Sequence, residues 1–212
     1  MLYQNHIRVL YIDLCTKKIR FENREDLCEY IGGSGVTSKL FSELVNLDKE
    51  PLHEAQPIIF AIGPMSTVFP VCTKAVCSFF SPQTGEYGES HAGGRLAMAI
   101  RLANVDAIVI TGKAESPVYI TIKPDDIIFH DAEALWQLGV SESGQFMRSM
   151  AGAPGNRSII RIGPAGPHRL HKRRHLQAFR PARRRGGFRF KKPQRARNMR
   201  RKRLRHKKPA RI

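Results

Sequence analysis

Residues 83–94 are the most chemically suggestive part of the sequence. Gly85, Gly88, Ala92, Gly93 and Gly94 are small there, and Glu86, Glu89, Ser90 and His91 are polar. Glycines let a phosphate or a heterocycle approach the main chain, and a helix start presents unpaired N–H groups. The spacing is neither Gly-x-Gly-x-x-Gly after a first strand nor Gly-x-x-x-x-Gly-Lys, so an ordinary dinucleotide or nucleoside triphosphate site is unsupported. The same residues also suit a tight strand-to-helix turn. A second run, Gly32-Gly33-Ser34-Gly35, could face an anion or simply let two helices meet at a sharp corner. Cys72 and Cys77 lack a second pair and read as core thiols, because a metal site needs about three or four ligands. His6, His53 and His130 fall outside ligand spacing, and Asp125-Asp126 after Pro124 reads as turn chemistry.

The elements that must position these residues follow from periodicity. Residues 7–13 alternate like a strand and turn through 15–17 into a second strand at 19–22. Asn23 is the expected N-cap of a short helix over 24–31. Val36, Leu40, Phe41, Leu44 and Val45 recur at helical spacing. Residues 57–62 and 75–80 read as buried strands, 83–94 as a loop, and 95–103 as a helix. Strands are expected at 107–111, 118–122, 127–129 and 158–162. Asp131 should cap a short helix carrying Trp136, with a further helix over 142–150. Residues 58–64 and 158–164 both read strand-then-Gly-Pro, which would fit a duplicated α+β unit.

Charge divides the chain. Of 36 Lys+Arg and 18 Asp+Glu, residues 1–166 hold 15 of the cations and all 18 acids, a net of −3. Residues 167–212 hold the other 21 cations and no acid. A core is expected in 1–166 only. The tail should have no packed structure, because backbone ordering at roughly 1–2 kcal/mol per residue has no burial to offset it. No apolar run approaches the ~18 residues of a membrane helix. No secretory signal is visible at the start, and the sparse cysteines fit reduced thiols in the cytoplasm.

Several segments occur together and in order: Tyr30–Gly35, Ile59–Pro64, Ser81–Gly85, His91–Gly94, Asp106–Tyr119, Asp131–Trp136 and Ile162–Gly166. Together they resemble the N-terminal domain of the tungsten-dependent aldehyde ferredoxin oxidoreductase family. The resemblance implies an α+β fold with a duplicated core, incomplete here, that cradles a tungsten (or molybdenum) bis-pterin cofactor. It further implies a neighbouring 4Fe-4S cluster whose cysteine ligands belong to later domains, aldehyde as substrate, ferredoxin as electron acceptor, and oligomer formation. The chemistry would be the cofactor's, with the protein supplying placement and electrostatics. By position, His91 stands where the family commonly has an Asn contacting a pterin, followed by Ala92, Gly93 and Gly94. Lys74 stands where the family commonly has an Arg. No catalytic or metal-ligating residue is expected within this chain, which reads as a truncated member, inactive alone.

The sequence departs from the family pattern at Ser34, which replaces the Arg of Gly-Gly-Arg-Gly, and at Lys74, a point charge rather than a planar fork. Residues 65–68 lack the usual Leu-Thr-Gly. After Gly166 the pattern stops. If degenerate codons for Arg189-Phe190-Lys191-Lys192-Pro193-Gln194 are read one nucleotide out of frame, the family's Gly-Ser-Lys-Asn-Leu emerges. The same shift through 182–188 permits its Arg-Gly-Gly-x-Gly-Ala. Residues 167–212 therefore read as an out-of-frame translation. The alternative is a small globular domain with a polycationic arm for nucleic acid or another polyanion, with Phe179, Phe188 and Phe190 available for stacking.

Overall fold

The computed structural model describes residues 5–124, 126–136, 138–150 and 157–163. All of them belong to one compact unit, Met1–Pro181; a second, Ala182–Ile212, lies outside the described residues. The expectations for the basic tail and for the Gly166 boundary lie outside them as well.

A six-stranded mixed sheet has the order β2-β1-β6-β3-β4-β5. Its strands are β1 (Ile7–Asp13), β2 (Lys18–Arg24), β3 (Ile58–Ile62), β4 (Ala75–Phe80), β5 (Tyr87–Ala92) and β6 (Ala107–Thr111). Only β1 and β6 run parallel; the other neighbours are antiparallel. The central strands are apolar on both sides because both faces are covered. On one face, Val36, Leu40 and Phe41 of α1 (Ser34–Leu44) close over Val9, Ile59, Ala61, Ala107 and Val109. On the other, Leu96, Ala97 and Ile100 of α2 (Leu96–Leu102) pack on Leu10, Ile12, Phe60, Ile62 and Cys77. The hairpin β7–β8 (Val118–Ile122, Ile127–Asp131) adds Ile120, Ile122, Ile127 and Phe129 to that second core. A last helix, α3, spans Val140–Met150. The fold is α+β, and no helix among the described residues is long and apolar enough to cross a membrane.

Three expectations are corrected. Residues 83–94 are not one loop: after a turn in which Ser81 N donates to Glu86 O, they form β5, paired with β4 from Phe80↔Tyr87 to Ala75↔Ala92. Arg24 ends β2 opposite Ile7 rather than starting a helix, and a short 3-10 turn, Asp26–Tyr30, follows instead. Arg24 is held there by its ion pairs with Asp26 and Glu43. Residues 158–162 form no strand; 158–160 lie along a shallow pocket beside Phe60, Ala75, Cys77 and Ser90. The second copy of the strand-Gly-Pro pattern thus has no ladder partner here. Asp131 does cap the next turn, its Oδ1 accepting from Glu133 N at 3.1 Å.

Candidate functional site

Four of the five expected residues meet at one end of the β3-β4-β5 half of the sheet. The hairpin register closes on Ala75↔Ala92, so Lys74 enters β4 where Gly93 and Gly94 leave β5, with His91 one pair inside, opposite Val76. The fifth, Ala92, turns its methyl toward the α2 core and can offer a ligand only its backbone. At the same end β3 finishes on Ile62, followed by Gly63 and Pro64. Gly63 is fixed from below: its carbonyl accepts from Arg101 Nη2 at 3.1 Å, and Arg101 pairs with the buried Asp106.

The glycines differ in what surrounds them. A Cβ on Gly32 would lie 2.9 Å from Ile62 O, and one on Gly35 would lie 2.3 Å from Tyr30 O. These two are required by close packing of the chain on itself. A Cβ on Gly63 or Gly93 meets nothing within 4 Å, and neither has a positive φ. Among the described residues, nothing demands glycine at either position. Two open glycines with a lysine on the strand between them make a floor without side chains, beside one cation.

One wall of this end is polar. Tyr87, Glu89 and His91 alternate onto the α1 face of β5. Glu89 Oε2 accepts from Ser34 Oγ at 3.0 Å and lies 3.1 Å from His91 Nε2, while Oε1 accepts from Tyr87 OH at 2.5 Å. Tyr87 OH also accepts from Ser38 Oγ at 3.1 Å. Burial pushes the Glu89 carboxyl up, but hydrogen bonds from Tyr87, Ser34 and His91 outweigh it and hold the group below its ordinary value. Burial, then the bond to Glu89, raises Tyr87. The sequence reading noted Glu89 only as one of several polar groups and missed Tyr87 and Gly63. The signal was present: polar residues at period two between two turns are a strand with one polar face.

All four cysteines are free thiols in separate places: Cys15 after β1, Cys28 in the 3-10 turn, Cys72 in the loop before β4, and Cys77 within β4. Cys77 is core, its thiol pushed up to about 12 by burial, whereas Cys72 is only half-buried. Among the described residues no three His, Cys, Asp or Glu side chains gather as a metal site. A cofactor here would be met through its organic part. The available groups — open backbone at Gly63 and Gly93, the Lys74 ammonium, the His91 imidazole — fit a phosphorylated heterocycle of the pterin kind.

The family profile described as "Aldehyde ferredoxin oxidoreductase, N-terminal domain" matches residues 9–187. The chain is 33% identical over 168 residues to a tungsten-containing aldehyde ferredoxin oxidoreductase of Pyrococcus furiosus, covering 78% of the chain and 28% of that protein. The Thermococcus kodakarensis protein of the same name is 32% identical over the same shares. An aliphatic sulfonate oxidoreductase, WOR-like subunit, of Pyrococcus furiosus is 29% identical, over 80% of the chain and 30% of its own length. Among solved structures, the active-site complex BamBC of benzoyl coenzyme A reductase with 1,5-dienoyl-CoA superposes with TM-score 0.72 at 28% identity, covering 77% of this chain and 25% of that one. The chain thus spans under a third of the length of each of these relatives.

Proposed function

The chain belongs to the aldehyde ferredoxin oxidoreductase family through its N-terminal domain, and we propose that it forms the floor on which a tungsten (or molybdenum) bis-pterin cofactor rests. The open floor at Gly63, Lys74 and Gly93 carries this reading, because its glycines answer to no neighbour among the described residues. Lys74 would neutralise phosphate, the backbone at Gly93 and Gly94 would approach it, and His91 would meet the heterocycle. The bound cofactor would supply two-electron oxidation of an aldehyde or related oxo compound, with electrons leaving through a 4Fe-4S cluster to ferredoxin. The floor residues would hold the cofactor, and their work would be placement and charge. The free thiols and the absence of a long apolar helix among the described residues accord with a cytoplasmic enzyme.

In a family-length version of the protein, Gly93→Val should abolish tungsten retention, since a β-branched side chain would stand where backbone approach is needed. Metal analysis of the purified variant reads this out, and full occupancy would overturn the assignment. The 212-residue chain itself should oxidise no aldehyde. Iron and sulfide reconstitution should give it no broad visible absorbance, because its thiols lie in separate elements. A cluster lost on mutating any two of the cysteines would reverse that view. For residues 167–212 the out-of-frame reading is tested by the nucleotide sequence around the Gly166 codon. The family match runs on to residue 187, past Gly166, so the nucleotide sequence is read through that codon as well.

A further inference from the structure

Glu89 joins two parts of the site's wall. The same carboxylate oxygen takes Ser34 Oγ, at the start of α1, and faces His91 Nε2, near the end of β5. The other oxygen takes Tyr87, itself held from α1 by Ser38. The carboxylate is mostly covered, with 22% of its side chain exposed, while 47% of the His91 side chain stays open. So, among the described residues, the more buried partner is tethered three ways and the exposed one is held by its contact with Glu89.

An ionised carboxylate only accepts hydrogen bonds. Its hydrogen bonds hold Glu89 in that form at neutral pH. A bare Nε2 lone pair against Oε2 would repel, so Nε2 must carry the proton. In a neutral ring, Nδ1 is then a pure acceptor. Phosphate oxygens also accept, so neutral His91 suits the donor edge of a heterocycle, leaving phosphate to Lys74 and the glycine backbone.

We propose that Glu89 is a positioning residue that fixes His91 as its Nε2–H tautomer, so that Nδ1 accepts a hydrogen bond from a ring N–H or amino group of a heterocyclic ligand. The ligand class rests on the cofactor-floor reading; the tautomer does not. Proton–nitrogen correlation NMR of the full 212-residue chain at about pH 8, where imidazole is ordinarily neutral, is the test. The wild type should show one His91 form, with a directly bonded, slowly exchanging proton on Nε2. Glu89→Ala should lose that proton signal and average toward the mixture of tautomers seen in free histidine. Glu89→Gln, whose amide oxygen still accepts, should recover much of it, which a merely structural role would not require. A pyridine-type Nε2 in the wild type overturns the proposal with no variant needed, as does a signal kept in folded Glu89→Ala. Added pterin should then move Nδ1, and inorganic pyrophosphate should not; the reverse pattern overturns the ligand class. Silence to both probes with the tautomer fixed counts against the floor reading while bearing out the positioning role.

Discussion

The two glycine runs of this domain look alike in sequence and are glycine for opposite reasons. At residues 32–35 the chain doubles back so tightly that side chains would strike backbone: Tyr30 O for Gly35, Ile62 O for Gly32. At Gly93, as at Gly63 two strands away at the same end of the sheet, an added methyl would enter open space. The first run is explained from inside the fold and builds the corner that sets Ser34 against Glu89. In the second, Gly94 is explained by its φ of +94°, but Gly93 meets no described neighbour, and that makes Gly93 the stronger pointer to a ligand. A small residue informs about function where packing does not already require it.

The largest effect should come from Gly35→Ala. Within an exposed helix, glycine to alanine ordinarily stabilises by about 0.5–1 kcal/mol. Here the methyl would lie 2.3 Å from a carbonyl oxygen, so backbone must shift, and a loss of about 3 kcal/mol is expected. Urea unfolding measures it, and a stabilised variant would break the contrast between the runs. Gly32→Ala should follow at about 2 kcal/mol, from a 2.9 Å approach to Ile62 O together with φ of +150°.

Much of the frame was legible because its strands are apolar in the expected rhythm. The residues of β1, β4, β6 and β7 coincide with the periods read from sequence, the first three anchored by buried Val, Ile or Leu and β7 by the partly buried Ile120 and Ile122. β5 was not legible as a strand because its α1 face is covered through polar contacts by Tyr87, Glu89 and His91, and hydrophobic alternation is therefore missing. The apolar run at 158–162 misled for the converse reason: hydrophobicity alone does not supply a pairing partner. The family pattern led to Lys74, His91 and the glycines after it, but not to Gly63, which only the strand order brings alongside.

A smaller, pH-dependent effect should separate the wall from the floor. Glu89 titrates below its ordinary value in the folded state, so it binds fewer protons folded than unfolded. Its contribution is therefore present above the unfolded carboxyl range and lost as pH falls through the lowered folded value. Glu89→Gln should lower stability near neutrality, change it little at the acid end, and so flatten the acid side of the profile. Unfolding midpoints measured between about pH 3 and pH 7 check this, and an unaltered acid limb would mean that the Ser34, Tyr87 and His91 contacts carry no net electrostatic weight.

The smallest expected effect is the most discriminating. Gly93→Ala in the 212-residue chain should change unfolding stability by no more than about 0.5 kcal/mol, the ordinary range for a surface substitution away from packing. The added Cβ meets no atom within 4 Å, and its φ lies outside the range that disfavours an L side chain. Alanine restricts the unfolded chain more than glycine does, which tips the sign slightly toward stabilisation. Gly63→Ala shares the open space, and its carbonyl would still accept from Arg101. Both variants should unfold at the wild-type midpoint within error. A loss at Gly93 comparable to that at Gly35 would show that both runs answer to internal packing, and the floor would lose its distinguishing feature. A neutral result leaves glycine at residue 93 without a structural cause among the described residues, and a ligand lying on the floor is then the cause it points to.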